Sequence, residues 1–146
     1  MAFALAMLLV FGMVGGNLLW LRPSGAEKAL IAQREYAKTL GFAVYLRQAP
    51  EWLAQPAGAR IVGQYRWLHP MQAAHVGRWR WHAGLGNWQP IENPDAWLKP
   101  APWPTPAPDG WLGLDVQVDG VVFYWREDGK KASVDQILSC LHEVSA

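Results

Sequence analysis

The sequence contains little cysteine and little net charge, and both shortages exclude classes of protein. Its single cysteine, Cys140, cannot form an internal disulfide bond, which is consistent with a reducing compartment. The formal net charge is +1, so overall attraction selects neither nucleic acid nor an acidic partner. The sequence also has no glycine-rich phosphate loop, nucleophile elbow or dinucleotide fingerprint. We therefore expect a protein that is not an enzyme and that needs no cofactor.

The histidines lack the close spacing that is typical of metal ligands. The gaps between His69, His75, His82 and His142 are six residues or more. Cys140 and His142 are two residues apart, which places their side chains about 200° apart around a helix. The sequence therefore predicts no metal site.

The first 21 residues carry no charged side chain, and Arg22 is the first that does. At about 1.5 Å per residue, this stretch would reach about 31 Å as a helix, which matches the hydrocarbon core of a bilayer. No Lys or Arg precedes the apolar run, and Arg22-Pro23 follows it in place of a small-residue cleavage site. These features favour a retained transmembrane anchor, residues 1–21, over a cleaved signal peptide or a buried core helix.

Basic residues beyond the predicted anchor indicate its orientation. Arg22, Lys28, Arg34 and Lys38 follow the anchor, and positive residues near a membrane helix prefer the cytoplasm. We therefore expect an outer, periplasmic N-terminus and a cytoplasmic C-terminal domain. Trp20 would lie at the headgroup level, beside Arg22.

Small and polar residues within the predicted anchor suggest a helix-packing surface. Gly12 and Gly16 form a G-x-x-x-G pair that lets two helices approach closely, and Asn17 could hydrogen-bond across the same interface. The alternative is that glycine is simply common in spanning helices and that Asn17 lies near interfacial water.

Residues 22–146 show the pattern of one α+β domain. Ser24 and Glu27 form a capping box for a helix over residues 25–40, and Gly41 is a natural residue to end it. Ser133 and Gln136 form a second capping box before a helix over residues 134–144. We expect about five antiparallel strands with both helices on their apolar face. The predicted strands are residues 42–47, 60–68, 77–83, 112–118 and 121–126, the last two joined by a hairpin turn at Asp119-Gly120.

Residues 84–110 are rich in proline. Every second residue from Pro100 to Pro108 is proline, which cannot pair in a sheet and favours polyproline II. We expect a long surface excursion or a rigid connector between two halves of the sheet.

Aromatic and basic residues alternate in the middle of the sequence. The ten tryptophans of the chain could fill a core or form a contact surface, and their number does not decide between these roles. A strand over residues 77–83 would place Arg78, Arg80 and His82 on one face, with Trp79 and Trp81 on the other. Together with Arg60 and Arg66, these arginines could bind anionic lipid headgroups or RNA phosphates. The plainer interpretation is a core of tryptophan beneath a solvated surface of arginine.

The apolar stretch, Leu21-Arg22-Pro23 and the charged helix that follows are similar to the start of YajC, the small accessory subunit of the bacterial preprotein translocase. Short single-pass proteobacterial membrane proteins that carry a YajC-like label resemble more of the chain, namely residues 20–24, 40–44 and 122–127. The resemblance implies a bacterial inner-membrane protein with a cytoplasmic C-terminal domain. It carries over no functional residue.

The predicted function is that of a non-enzymatic single-pass inner-membrane protein, an accessory or scaffold subunit that docks on a membrane protein complex. Three alternatives stay open: a peripheral binder of anionic lipid headgroups, a YajC-like translocase accessory protein, and a nucleic-acid-binding module, the least favoured of the three. The expected partners are the membrane complex and the bilayer, and the sequence identifies no small-molecule substrate.

Overall fold

The computed structural model describes residues 24–53, 61–92 and 100–146. The predicted anchor, with Gly12, Gly16, Asn17 and Trp20, lies outside the described residues, as do Arg22 and Arg60. None of the helices formed by the described residues is both long and apolar enough to cross a bilayer.

The described residues form an α+β fold with one six-stranded antiparallel sheet and two helices, whereas about five strands were predicted. The strand order is β1-β2-β6-β5-β3-β4, so β6 and β5 lie at the centre of the sheet. In chain order the elements are α1 (Gly25–Thr39), β1 (Phe42–Gln48), β2 (Ile61–Leu68), β3 (Gly77–His82), β4 (Asn87–Pro90), β5 (Trp111–Gln117), β6 (Gly120–Trp125) and α2 (Lys131–Glu143).

The core lies between one face of the sheet and the two helices, as predicted. Tyr65 of β2 is paired with Phe123 of β6, and both side chains are fully buried. Ile137 and Leu141 from α2 belong to the same apolar cluster, and so does Ala37 from α1. Because side chains alternate along each strand, the intervening side chains lie on the opposite face, where Val62 and Tyr124 form a smaller buried cluster with Leu53.

Tryptophan forms much of this core. Eight of the ten tryptophans lie among the described residues, and six of these eight are buried. The rings make edge-to-face contacts, such as that of Trp111 with Phe123 at a centroid distance of 4.8 Å. The described tryptophans therefore serve mainly as core, and only Trp52 and Trp81 are partly exposed.

The proline-rich segment joins the fold more closely than predicted. Its early part forms β4, which pairs with β3 and adds the sixth strand. Further along, the Trp103 side chain is buried in the core, and the Trp88 indole N–H donates to the carbonyl oxygen of Pro104 at 2.9 Å. Residues 84–110 are therefore not wholly a surface excursion. β4 escapes prediction because it is only four residues long and ends in Pro90.

The hairpin between β5 and β6 is shifted by one residue from its prediction. The turn residues are Val118 and Asp119, and Gly120 is already paired with Gln117. A Cβ on Gly120 would lie 2.5 Å from the carbonyl oxygen of Trp67. Glycine is therefore required here by the close approach of β2 rather than by the turn itself.

The second predicted capping box does not form. α2 begins at Lys131, and the hydroxyl of Ser133 donates to Asp128 instead of capping the helix. Burial raises the pKa of the Asp128 carboxyl, but the hydrogen bonds from Ser133, from the Lys130 backbone and from Gln33 outweigh it and leave the pKa below its ordinary value. Asp128 thus organises the turn before α2.

Polar side chains attach α1 to the segment between β6 and α2. Gln33 is fully buried, and its amide donates to Asp128 Oδ1 at 2.8 Å and to the carbonyl oxygen of Lys130 at 2.7 Å. Its own oxygen accepts the backbone N–H of Gly129 at 3.0 Å. The Gln33 side chain therefore forms hydrogen bonds with three polar groups of one turn.

Glu127 provides the second attachment. Its side chain is only 6% exposed and accepts two hydrogen bonds from Arg34, with Nε–Oε2 at 2.9 Å and Nη2–Oε1 at 2.8 Å. The hydroxyl of Tyr65 donates to Oε2 at 2.5 Å. Burial and this hydrogen bond raise the pKa of Tyr65 far above its ordinary value, so the phenol remains a donor. The carboxylate thus joins α1 to β2.

Replacement of the buried carboxylate should destabilise the domain. We expect Glu127→Gln to lower the free energy of unfolding by about 2–3 kcal/mol, because Arg34 then loses its counter-charge in a largely buried site. The matched control, Glu35→Gln, removes one partner of an exposed ion pair with Lys38 and should cost less than about 0.5 kcal/mol. Urea unfolding of the full chain in mild detergent, followed by tryptophan fluorescence, measures both. Equal losses for the two variants would contradict this account.

The Cys140 thiol should be unreactive in the folded protein. Burial, with a smaller contribution from Glu143, raises the pKa of this thiol to about 12. At about pH 8 we therefore expect an aromatic disulfide reagent to modify Cys140 only after unfolding. A Val118→Cys variant, with its new thiol at a position that is 70% exposed, supplies the rapidly reacting control. Rapid modification of Cys140 under native conditions would refute the expectation.

Candidate functional site

The two edges of the sheet differ in their capacity to accept another strand. β4, at one edge, has four residues and ends in Pro90. β1, at the other edge, has seven residues without proline, and β2 is its only partner strand among the residues that the structure describes. In an antiparallel sheet, alternate residues of an edge strand direct their N–H and C=O groups away from the sheet. β1 is therefore the edge at which strand addition is possible.

A shallow apolar groove runs between β1 and α1. Ile31 of α1 is 50% exposed and Leu46 of β1 is 45% exposed, and both line the groove together with Val44. The volume of the groove is about 370 Å³. Exposed large apolar residues that gather in one place are typical of interaction sites, whereas single ones are ordinary.

The apolar surface continues from the groove to the start of β2. Ile61 is 67% exposed, and with Leu30 and Leu46 it lines a second depression of about 260 Å³. We name the exposed or half-buried residues Ile31, Val44, Leu46 and Ile61 the β1-edge strip. The sequence alternation correctly placed Phe42, Val44 and Leu46 on one face, but it gave no signal that α1 would leave Leu46 uncovered.

Arg34, Glu35 and Lys38, the charged side chains that line the groove, each belong to an ion pair, whereas the exposed Arg126 beside the second depression pairs with no described carboxylate. Arg34 bonds Glu127, and Lys38 Nζ lies 3.0 Å from Glu35 Oε1. These pairs leave the margin of the groove nearly neutral. Recognition at this edge would therefore rest on backbone hydrogen bonds and on apolar contacts rather than on charge.

The β1-edge strip lies near the start of α1. The predicted capping box forms here: the Glu27 N–H donates to Ser24 Oγ at 3.1 Å, and the Ser24 N–H donates to Glu27 Oε2 at 3.3 Å. At 1.5 Å per residue, Ile31 lies about 10 Å along the helix from Ser24. Ser24 follows the predicted anchor by only three residues. The strip therefore lies close to the point at which an anchor would leave the membrane.

The arginine face predicted from the sequence does form, but two of its members have partners within the domain. The register places Arg78, Arg80 and His82 on the sheet face opposite Trp79. Arg78 Nη1 donates to Glu92 at 2.7 Å and its Nε lies 3.7 Å from Asp115.

Arg80 is also occupied: it donates to the Trp52 carbonyl oxygen at 3.2 Å and to Gln89 at 2.7 Å. Arg66 is exposed on β2, three strand positions away from β3 in the sheet. The four arginines of the predicted anionic surface are therefore not shown to converge on one site, and Arg60 lies outside the described residues.

His69 and His142 both pack against the ring of Trp67. The ring of His69 stacks on Trp67 at a centroid distance of 4.6 Å, and His142 meets Trp67 edge-on at 4.9 Å. Within the described ranges, no three or more His, Cys, Asp or Glu side chains gather where a metal ion could bind. We therefore place the candidate site at the β1 edge.

Comparisons of the chain with protein-family models, with curated proteins and with solved structures found no match. The function must therefore be argued from the geometry of the sites themselves.

Proposed function

We propose that this protein is a non-catalytic, single-pass membrane protein whose α+β domain docks on a subunit of a larger membrane complex. The docking element is the β1 edge, which takes an extended segment of that subunit as an additional strand. The observation that carries the proposal is the seven-residue edge strand β1, which has no second partner strand among the described residues, beside the exposed β1-edge strip. An accessory or scaffold role follows from this mode of attachment.

The chemistry of the edge defines the partner segment. Strand addition supplies affinity through main-chain hydrogen bonds, and pockets for alternate side chains supply specificity. On the helix side of β1, the partner would meet Val44 and Leu46 together with Ile31 from the helix. The partner segment should therefore be extended and apolar at every second position, with few charges.

The uncharged stretch at residues 1–21 supports membrane attachment. In this proposal it spans a bacterial inner membrane with its N-terminus in the periplasm, and Trp20 and Arg22 lie at the membrane surface. Gly12, Gly16 and Asn17 would then pack against a neighbouring helix of the same complex. The anchor would contact this complex within the membrane, and the β1 edge would contact the same complex next to the membrane surface.

Two other proposals receive less support from the arginine face. A lipid-binding surface needs free cations, but Arg78 already has Glu92 and Asp115 beside it. An RNA-binding face needs exposed rings on the side of the arginines, whereas Trp79 is buried on the other side. Docking through the β1 edge requires neither condition.

Membrane attachment is tested by alkaline carbonate extraction. We expect the full chain to stay in the membrane pellet, because about 20 apolar residues make insertion effectively irreversible. A Leu9→Arg, Val10→Arg double variant should be extracted, since each central charge costs about 2.5–3.5 kcal/mol. Release of the unaltered chain, or a mature chain that begins beyond Leu21, would overturn the membrane proposal.

Docking is tested by site-specific photo-crosslinking in intact membranes. A crosslinker at Ile31 or at Leu46 should give an adduct with one discrete membrane protein, and a crosslinker at the exposed control position Val118 should not. In a chain with the crosslinker at Ile31, Leu46→Lys should reduce this adduct about tenfold or more, because it charges the centre of the contact. The equivalent Leu85→Lys change, at a position that is 66% exposed, should leave it unchanged.

Three outcomes would overturn the docking proposal. The first is no adduct at either edge position, and the second is an adduct of twice the chain mass, which would assign the edge to a second copy. The third is equal sensitivity to Leu46→Lys and to Leu85→Lys. An adduct with a preprotein translocase subunit would support docking and would also identify the role as YajC-like.

A further inference from the structure

A cleft lies where β3 and β5 separate, on the far side of the sheet from β1. The two strands are in register only as far as the pair Arg80 and Gly113, and β5 has an irregularity between Trp111 and Gly113. Beyond that point the end of β3 and the start of β5 line a space of about 570 Å³. This volume lies within the range of about 300–1,000 Å³ that is typical of small-molecule sites.

The charged groups that line the cleft are mainly cationic. Arg80 and Arg126 carry fixed positive charges, and His82 is the third basic side chain. Asp109 is the only acidic residue among those that line it. The chain as a whole is almost neutral, so this local excess of positive charge is a property of the cleft.

Arg80 is held in place by neutral groups only. Its Nη1 donates to the carbonyl oxygen of Trp52 at 3.2 Å and its Nη2 donates to Gln89 Oε1 at 2.7 Å. Its Nε is buried without a hydrogen-bond partner, and no carboxylate lies within 4.0 Å of the guanidinium among the residues described. A half-buried cation that is oriented but not neutralised is suited to pair with an anion.

Backbone contacts also hold the His82 ring and the main chain of Arg126. His82 Nδ1 accepts the Leu85 N–H at 3.0 Å, so the neutral ring carries its proton on Nε2 as a donor. The N–H of Arg126 donates to the carbonyl oxygen of Gly110 at 2.8 Å, which fixes the main chain of Arg126 at the cleft. Gly110 has φ +86°, and a Cβ there would lie 2.8 Å from the Arg126 carbonyl oxygen, so glycine permits this approach.

The remaining walls are apolar. The partly exposed ring of Trp81 and the buried ring of Trp111 line the cleft, together with Leu53 and Pro108. A ligand that satisfies both kinds of wall must carry a negative group and a flat apolar body. We propose that the cleft binds a small organic anion of this kind, a carboxylate or phosphate monoester with an aromatic or similarly flat body.

This binding site is distinct from the β1-edge strip, although Arg126 also lines the second depression beside Ile61. Strand order separates β1 from β3 by three intervening strands, and none of the residues of the β1-edge strip lines the cleft. Failure of one proposal therefore leaves the other intact.

The test uses phenyl phosphate as the probe and the full chain in neutral maltoside micelles. With tryptophan indoles labelled with nitrogen-15, we expect saturable shifts of the Trp81 and Trp111 signals, identified by Trp81→Phe and Trp111→Phe variants. Benzyl alcohol and inorganic phosphate should each bind about tenfold more weakly or worse, since each lacks one half of the recognised chemistry. Equal binding of benzyl alcohol would overturn the proposal.

The decisive comparison is between two variants that each lose one positive charge. Arg126→Gln removes an exposed cation of the cleft, and Arg66→Gln removes an exposed cation that lies elsewhere on the sheet. We expect the dissociation constant of phenyl phosphate to rise about tenfold for the first and to stay within about twofold for the second. Equal effects of the two variants, or no saturable shift of any indole in the unaltered chain, would refute the site.

Discussion

The position of α1 depends on one buried carboxylate. Glu127 cannot leave water without donors for its oxygens, and Arg34 and Tyr65 provide them. α1 needs this attachment because Gln33 and Ala37 are its only fully covered side chains, which is too little apolar burial to hold a fifteen-residue helix on a sheet. The hydrogen bonds of Gln33 also hold α1 against the turn before α2. Polar contacts thus fix the position of α1 on the sheet, and the apolar face of the helix stays partly exposed.

The uncovered face explains why the two margins of the sheet have different properties. A helix packed by a continuous apolar stripe would bury Leu46, but α1 leaves it and Ile61 exposed beside the edge strand β1, whose second side has no partner strand among the described residues. At the opposite margin β4 is short and ends in Pro90, so that margin offers little to another strand. The cleft between β3 and β5 lies further inside the sheet, where the two strands separate and Arg80 and Arg126 line the space. The proposed strand addition thus belongs to an open sheet edge, and the proposed anion binding belongs to a gap between two neighbouring strands.

Local sequence signals predicted much of this fold, and contacts between distant residues account for what they missed. The capping box at Ser24 and the period-two alternation of the strands depend on neighbours in the chain, so both are readable in sequence. The role of Gly120 depends on the approach of β2, which no local pattern describes. Ser133 is an exception, because its partner Asp128 is only five residues earlier in the chain and the capping-box pattern overlooks it. Arg78 and its partner Glu92 are fourteen residues apart, and only the pairing of β3 with β4 brings them together. The shared face of Arg78 and Arg80 was therefore predicted correctly, and the neutralisation of Arg78 by Glu92 was not. The exposure of the β1-edge strip was missed for the same reason, since it is decided by where α1 is attached.

Attachment to a membrane would lower the affinity that the β1 edge needs for stable docking. A seven-residue strand with a small apolar groove offers a modest interface. When two partners share a bilayer, the second contact becomes nearly intramolecular, and its effective concentration can reach the millimolar range. An edge of low affinity then suffices for stable docking, whereas an edge of high affinity would invite pairing between copies of the chain. A seven-residue edge beside a nearly neutral groove would therefore suit the proposed tethered domain.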